Sequence, residues 1–398
     1  MTVSDRWLLP DGVDELLPPG AMAVEQLRRR LLDNISNWGY ELITPPMIEY
    51  LESLLTGTGN DLDLQTFKVT DQLSGRLMGV RADITPQAAR IDAHCLQYQG
   101  ITRLCYADAV LHTRPAHLQT NRCPIQIGCE LFGEPSLSAD VEVISLMLDT
   151  LKLAGLEKIH VDLAHVGIYR GLIAEAELDS DTERAVFDAL RRKSIPELDE
   201  LLSGGSDITR MLREMANAAG GIDAIKNIKS IVAGASEEVL NAVGQLESIC
   251  AQLQQRYPNI ELGFDFCELR GYNYHTGLVF SAYYSGFGQA VAQGGRYNAI
   301  GTEFGSDRPA TGFSADLKIL ASLVAPNGVE LPKGILAPCD DDPSLWAAIS
   351  SLRKTERVVQ LLSYKEQSDG SLPASGVEFE CDRQLVKEND SWVVKARV

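Results

Sequence analysis

Residues 123–133 read CPIQIGCELFG, and the fold turns on how this run is paired. Isoleucines, a cysteine, a leucine and a phenylalanine make it a strand. In a strand successive side chains alternate sides, so Gln126, Gly128 and Glu130 share one face. On an ordinary half-exposed strand such polar groups point at water. The other reading is that Gly128 leaves a gap between two polar groups, and that this face cradles a small polar ligand. The preceding run TRLCYADAVLH (102–112) has the same strand character. The polar loop TRPAHLQTNR (113–122) joins the two into an antiparallel pair.

Working outward toward the N-terminus, PPGAMAVEQLRRRLLDNISNWGY (18–40) carries Val24, Leu27, Leu31, Leu32 and Ile35 at helical spacing before Gly39 stops it. YELITPPMIEY (40–50) is a short strand interrupted by Pro45 and Pro46, which suits an edge or an interface. TFKVTDQLSGRLMGVRADITPQAARI (66–91) reads as strand, turn at Ser74-Gly75, strand, and a helix opening at Thr85-Pro86. Threonine is a fair N-cap there, and Asp83 lies just before it.

Toward the C-terminus, SADVEVISLMLDTLKLAGL (138–156) is a helix, with Ser138 as its cap and Gly155 as its stop. KIHVDLAHVGIY (158–169) alternates as a strand. Residues 171–254 are helical in pattern, broken by glycines. Strand patterning resumes in IELGFDFCELRGYNYHTGLVFSAYY (260–284) and GQAVAQGGRYNAIG (288–301), and SADLKILASLV (314–324) is the last helix before Pro326-Asn327-Gly328. Beyond Pro332, about 65 residues with their own strand and helix signals end in a hairpin around Asn389-Asp390, a small appended domain.

The bulk properties of the 398 residues narrow the function. Lys and Arg number 36 against 55 Asp and Glu, so 36 − 55 = −19, a field that repels a phosphate backbone. Eight cysteines are scattered with no C-x-x-C pair. His112 with His117, and His160 with His165, lie five apart, a spacing that suits neither a helical nor a strand face for a metal. The N-terminus lacks the basic and apolar regions of a signal peptide, and no apolar run reaches the roughly 18 residues of a membrane span. Phosphate-loop, dinucleotide, metalloprotease and nucleophile-elbow motifs are absent from the sequence. The expectation is a cytoplasmic protein with no metal, no cofactor and no membrane.

This order of elements resembles the catalytic core of class II aminoacyl-tRNA synthetases. GYELITPPMIEY is similar to their dimer-forming first motif, VRADITPQAARI to the R-P-E-x-T segment, and TRPAHLQTNRCPIQIGCELFG to the second motif of histidyl-tRNA synthetase. LRGYNYHTGLVF and AQGGRY resemble that enzyme's histidine-specific segments. The resemblance runs over about residues 10 to 322. It implies an α+β fold, an antiparallel sheet flanked by helices. Residues 1–170 and 255–325 would form the core, 171–254 a helical insertion and 326–398 a small C-terminal domain.

The resemblance also implies a histidine site. Asp83, Thr85 and Gln126 would face the ammonium group, and Glu130 the imidazole N–H. Arg270 would pair with the carboxylate, and Tyr274 and His275 would stand beside the ring. The family's pattern has glutamate at Asp83 and tyrosine at His275, two departures for which Tyr274 and Tyr297 would compensate. The chemistry is different. Two arginines that screen ATP in the synthetases fall on Leu111 and Ile319, and aliphatic side chains cannot screen a triphosphate. Arg114 and Arg122 remain in the loop as possible anion contacts, but no catalytic residue is implied.

A synthetase relative of this length without its activation machinery or an anticodon domain resembles the regulatory subunits of short-form ATP phosphoribosyltransferase. That implies a dimer within a hetero-octamer, a short catalytic subunit as partner, histidine as effector, and no tRNA. An active histidyl-tRNA synthetase and a stand-alone histidine-binding module are the other readings of the same residues.

Overall fold

The N-terminal helix shows how the core is laid down. Leu27, Leu31 and Ile35 are fully buried at helical spacing in α1 (Gly20–Asn37), and Gly39 ends it with φ +85°. The computed structural model describes the chain except residues 1–6, 58–59, 116–120, 204, 270–271, 273, 299–303, 306, 329–331, 363–380 and 398. It divides into two units, Met1–Gly328 and Val329–Val398.

In the first unit α1 is followed by β1 (Glu41–Leu42), β2 (Ile48–Tyr50), α2 (Leu51–Leu54), α3 (Asn60–Gln65), β3 (Phe67–Thr70), β4 (Leu77–Val80) and α4 (Thr85–Arg90). A π-helical turn, Ile91–Leu96, continues α4. Then come β5 (Thr102–Ala109), β6 (Ile125–Phe132), α5 (Leu137–Ala154) and β7 (Ile159–His165). Six helices follow from Val166 to Arg256: α6 (Val166–Glu175), α7 (Ser180–Arg191), α8 (Ile195–Leu201), α9 (Asp207–Met215), α10 (Asp223–Ile231) and α11 (Glu237–Arg256). The unit closes with β8 (Glu261–Phe264), β9 (Leu278–Tyr284), β10 (Ala290–Arg296), β11 (Ala310–Asp316) and α12 (Leu317–Val324).

Eight strands form one sheet in the order β1-β5-β6-β11-β10-β9-β7-β8. Its interior pairs are antiparallel and only the two edge pairs, β1 with β5 and β7 with β8, are parallel. This is the class II synthetase-like sheet. Helix α5, with 12 of its 18 residues buried, packs against it with α1 and α11. β2, β4 and β3 form a separate antiparallel sheet. In the second unit β12 (Gly334–Ala337), α13 (Pro343–Leu352), β13 (Val358–Gln360), β14 (Cys381–Glu388) and β15 (Ser391–Ala396) make a sheet ordered β13-β12-β14-β15. Asn389 and Asp390, both at positive φ, turn β14 into β15. Among the described residues no helix is long and apolar enough to cross a membrane.

Three local expectations differ from the structure. Thr85 is inside α4 and does not cap it; Ile84 holds the cap position with helical torsions, and the Asp83 carboxylate takes the Thr85 amide instead. The cap of α5 is Ser136, not Ser138, because the Glu134 side chain accepts from the Ser136 amide and fixes the turn two residues earlier than the serine at 138 suggests. Ser314, Ala315 and Asp316 end strand β11, and only from Leu317 is the chain helical. β11 reads weakly as a strand because Gly312 sits in its middle. The glycine is required: it pairs with Glu130, and a Cβ at 312 would fall on Glu130 Oε2.

Candidate functional site

Asp83 lies in the short link between β4 and α4, and its Oδ1 gathers three hydrogen bonds. The Thr85 amide and hydroxyl each donate at 3.0 Å, and Gln126 Nε2 donates at 2.8 Å. The other end of the Gln126 amide accepts from the Ile84 amide at 2.9 Å. Gln126 on β6 therefore fixes the Asp83 turn from across the sheet. Arg81 holds the same turn from behind. It is buried, donates to the carbonyls of Ala109 and Pro45 at 2.8 and 2.7 Å, and meets Asp108 at 2.9 Å.

Glu130 stands two residues beyond Gly128 on the same face of β6, and the space at Gly128 is filled rather than open. Tyr106, opposite Gly128 in β5, inserts its ring there, so a Cβ at 128 would meet the tyrosine hydroxyl and lie 2.7 Å from Phe313 O. The Tyr106 hydroxyl donates to Glu130 Oε1 at 2.9 Å and lies 3.3 Å from Thr85 Oγ1. The Tyr297 hydroxyl donates to Glu130 Oε2. Glu130 is only 1% exposed, and that burial pushes its pKa up to about 8 despite the two tyrosine bonds that lower it. The nearby Asp83 charge raises it further.

The aromatic wall is continuous. Tyr274 stacks on Tyr297 with centroids 5.1 Å apart and meets His275 edge to face at 5.1 Å. Burial holds the His275 imidazole neutral, with its pKa down to about 4. The Tyr274 hydroxyl and His275 Nδ1 are buried with no hydrogen-bond partner among the described residues. Tyr106 and Arg81 were not picked out by the sequence reading. The signal for Tyr106 was a large residue facing a glycine, but it needs the β5–β6 register across a fifteen-residue gap. Arg270 lies outside the described residues.

A cavity of about 300 Å³ opens beside Asp83 and Gln126. Its other walls include His112, Asn121, Asp316 and Ile319, and no lysine or arginine lines it among the described residues. Ile319, which the resemblance sets against a screening arginine, is one of these walls. Neither Arg114 nor Arg122 is in the lining. Arg114 is exposed, and Arg122 is engaged by backbone, donating to His112 O and Asp11 O at 3.0 Å each. Among the described residues the cavity walls are thus rich in acceptors and poor in cations, while Thr85, Glu130, Tyr274, His275 and Tyr297 are not part of them. The cavity suits an ammonium or a ring N–H and offers a phosphate little.

Comparison with known proteins assigns the chain. Residues 12–320 match the family model described as histidyl-tRNA synthetase, and residues 332–395 match that of the ATP phosphoribosyltransferase subunit HisZ C-terminal domain. An ATP phosphoribosyltransferase regulatory subunit from Marinobacter nauticus is 57% identical over 398 residues, covering 99% of each chain. The chain belongs to the ATP phosphoribosyltransferase regulatory subunit family. Another regulatory subunit, from Stutzerimonas stutzeri, is 50% identical over 396 residues, with 99% of each chain covered. Among solved structures, an ATP phosphoribosyltransferase regulatory subunit/histidyl-tRNA synthetase from Bacillus halodurans superposes with a TM-score of 0.80 at 26% identity, over 91% of this chain and 95% of that one. A histidyl-tRNA synthetase from Nostoc shares the fold, with a TM-score of 0.75 at 18% identity, over 98% and 97% of the two chains. Membership of a regulatory-subunit family agrees with a cavity whose described walls include Ile319 and no lysine or arginine.

Proposed function

We propose that the chain binds the short catalytic subunit of ATP phosphoribosyltransferase, raises its turnover, and lowers it again when histidine occupies the site around Asp83 and Glu130. The observation that carries this reading is a cavity lined by Asp83, Gln126 and Ile319 with no lysine or arginine among its described walls, and the buried Glu130 on the same face of β6 as Gln126. An amino acid's ammonium would meet Asp83, Thr85 and Gln126. Its imidazole would lie against Tyr274, Tyr297 and the neutral His275, and its N–H would reach Glu130 by replacing a tyrosine hydroxyl. The carboxylate partner, Arg270, rests on the resemblance of its segment alone.

The assembly we infer is a hetero-octamer built on a dimer of this chain. The sheet β2-β4-β3 supports the dimer. By register, Ile48, Tyr50, Phe67, Val69, Met78 and Val80 share one face, all apolar and none fully buried. A chain of net charge −19 meets its own copy most easily where acidic side chains are absent, and the charges beside this face are the Arg76 and Arg122 guanidinium groups over the Tyr50 and Phe67 rings. The same acidity disfavours tRNA as a ligand. We read residues 1–170 with 255–325 as one core, 171–254 as its insertion and 326–398 as a C-terminal domain, acting in the cytoplasm.

Titrating the purified chain into a short-form catalytic subunit tests this directly. Turnover should rise and saturate, while ATP–pyrophosphate exchange by the chain with histidine stays at background. Flat turnover without co-elution would leave a stand-alone histidine-binding module, and brisk exchange would make it a synthetase.

A further inference from the structure

Glu49 occupies an unusual place. Its neighbours in β2, Ile48 and Tyr50, lie on the apolar face of the small sheet, so by alternation Glu49 points the other way, toward α4. There its carboxylate is 9% exposed and is clamped by α4. Arg90 donates from Nε to Oε2 at 3.0 Å and from Nη2 to Oε1 at 2.6 Å, and Gln87 Nε2 donates to Oε1 at 2.8 Å. A bidentate, largely dry pair of this kind is stiff and specific in geometry.

The clamp is the far end of a six-residue helix whose first residue, Thr85, belongs to the ligand-facing turn. A second set of bonds runs parallel to it. Three consecutive carbonyls before β2 are held by residues flanking Asp83: Pro45 O accepts from Arg81 Nη1 at 2.7 Å, Pro46 O from Gln87 Nε2 at 2.8 Å, and Met47 O from the Arg81 amide at 3.0 Å. Beyond Arg90 the chain changes to the π-helical turn Ile91–Leu96.

We propose that Glu49, through Arg90 and Gln87, is the positioning residue that links the Asp83–Thr85 turn to the apolar face, so that a ligand on the turn changes how firmly that face is held for a second copy of this chain. The link rests on the histidine reading given above. A ligand that tightens the turn stiffens α4. Because Glu49 lies between two residues of the face, β2 stiffens with it. Coupling of this sort is reciprocal, so docking of the second copy should also raise affinity at the turn.

Hydrogen exchange of the full chain with and without histidine tests the link, with calorimetry alongside. In the wild type, histidine should slow amide exchange about fivefold or more in residues 47–50 and 78–80 as well as around 82–85, the scale of ordinary allosteric coupling. In Glu49→Gln the slowing should persist around 82–85 and vanish from 47–50. Histidine affinity itself should fall by less than the tenfold or so that loss of a direct charge contact costs. Arg90→Lys, which breaks the bidentate pair and keeps the charge, should behave alike and serves if Glu49→Gln does not fold. Slowing confined to 82–85 in the wild type would overturn the link, as would slowing at 47–50 that survives both variants. No heat of histidine binding to the wild type would instead overturn the ligand reading, and the link with it.

Discussion

Glu130 is a carboxylic acid with almost no access to water, and its titration is written into the stability of the fold. Burial raises its pKa from an ordinary 4.5 to about 8, so between those values the folded chain holds a proton that the unfolded chain has lost. Stability therefore falls as pH rises through that window. Glu130→Gln cannot titrate, so the variant should gain on the wild type as pH rises, by up to about 1.4 kcal/mol per pH unit. Urea unfolding of both proteins between about pH 5 and pH 8 measures the difference. Parallel curves would show that Glu130 is charged in the fold. The polar pair itself was legible, because Gln126 and Glu130 break an apolar strand at a spacing of two repeats. What lay between them was not. Gly128 reads as a gap, and only the β5–β6 register shows that Tyr106 fills it. Arg81 escaped notice for a similar reason: at the end of a short strand an arginine reads as solvent-facing, and its burial depends on carbonyls 28 and 36 residues away.

At the scale of elements, glycines sort into those the sheet needs and those it tolerates. Gly312 in β11 faces Glu130 so closely that Gly312→Ala must push the carboxylate aside. A loss of about 1–3 kcal/mol is expected from such overpacking. Gly244, in the middle of α11, has nothing within 4 Å of its absent Cβ. Gly244→Ala should stabilise by about 0.5–1 kcal/mol through helix propensity. Denaturant midpoints of the two variants should move in opposite directions, and a shared direction would contradict the packing described. The same contrast explains which elements could be read. α1, α5 and β7 announce themselves by period because each buries a regular apolar pattern. β11, made of Ala, Thr, Gly and Ser around one Phe, is a strand because its neighbours demand it, and no local propensity reveals that. The Asn389-Asp390 turn was legible because both residues take positive φ more readily than most, as a tight hairpin demands.

Across the whole molecule, the order of motifs carried the architecture. Five segments in sequence, from the interrupted strand at Pro45-Pro46 to AQGGRY, match a sheet whose strand order returns β11 beside β6, with β10 next to β11. That long-range pairing is invisible to local patterning and became readable only through resemblance. An acidic chain whose cavity has no lysine or arginine among its described walls suits control of a reaction run elsewhere in an assembly. Control of that kind requires histidine to bind two states of the assembly with different affinity. The central claim is that this difference is sensed at Asp83, Gln126 and Glu130. The direct measurement is the histidine inhibition curve of the reconstituted ATP phosphoribosyltransferase, made with wild-type chain and with Glu130→Gln. If the account is right, the variant activates the catalytic subunit as the wild type does, and half-inhibition requires about five- to tenfold more histidine, the cost of losing the buried carboxyl oxygen that accepts the imidazole N–H. Superimposable inhibition curves would contradict it.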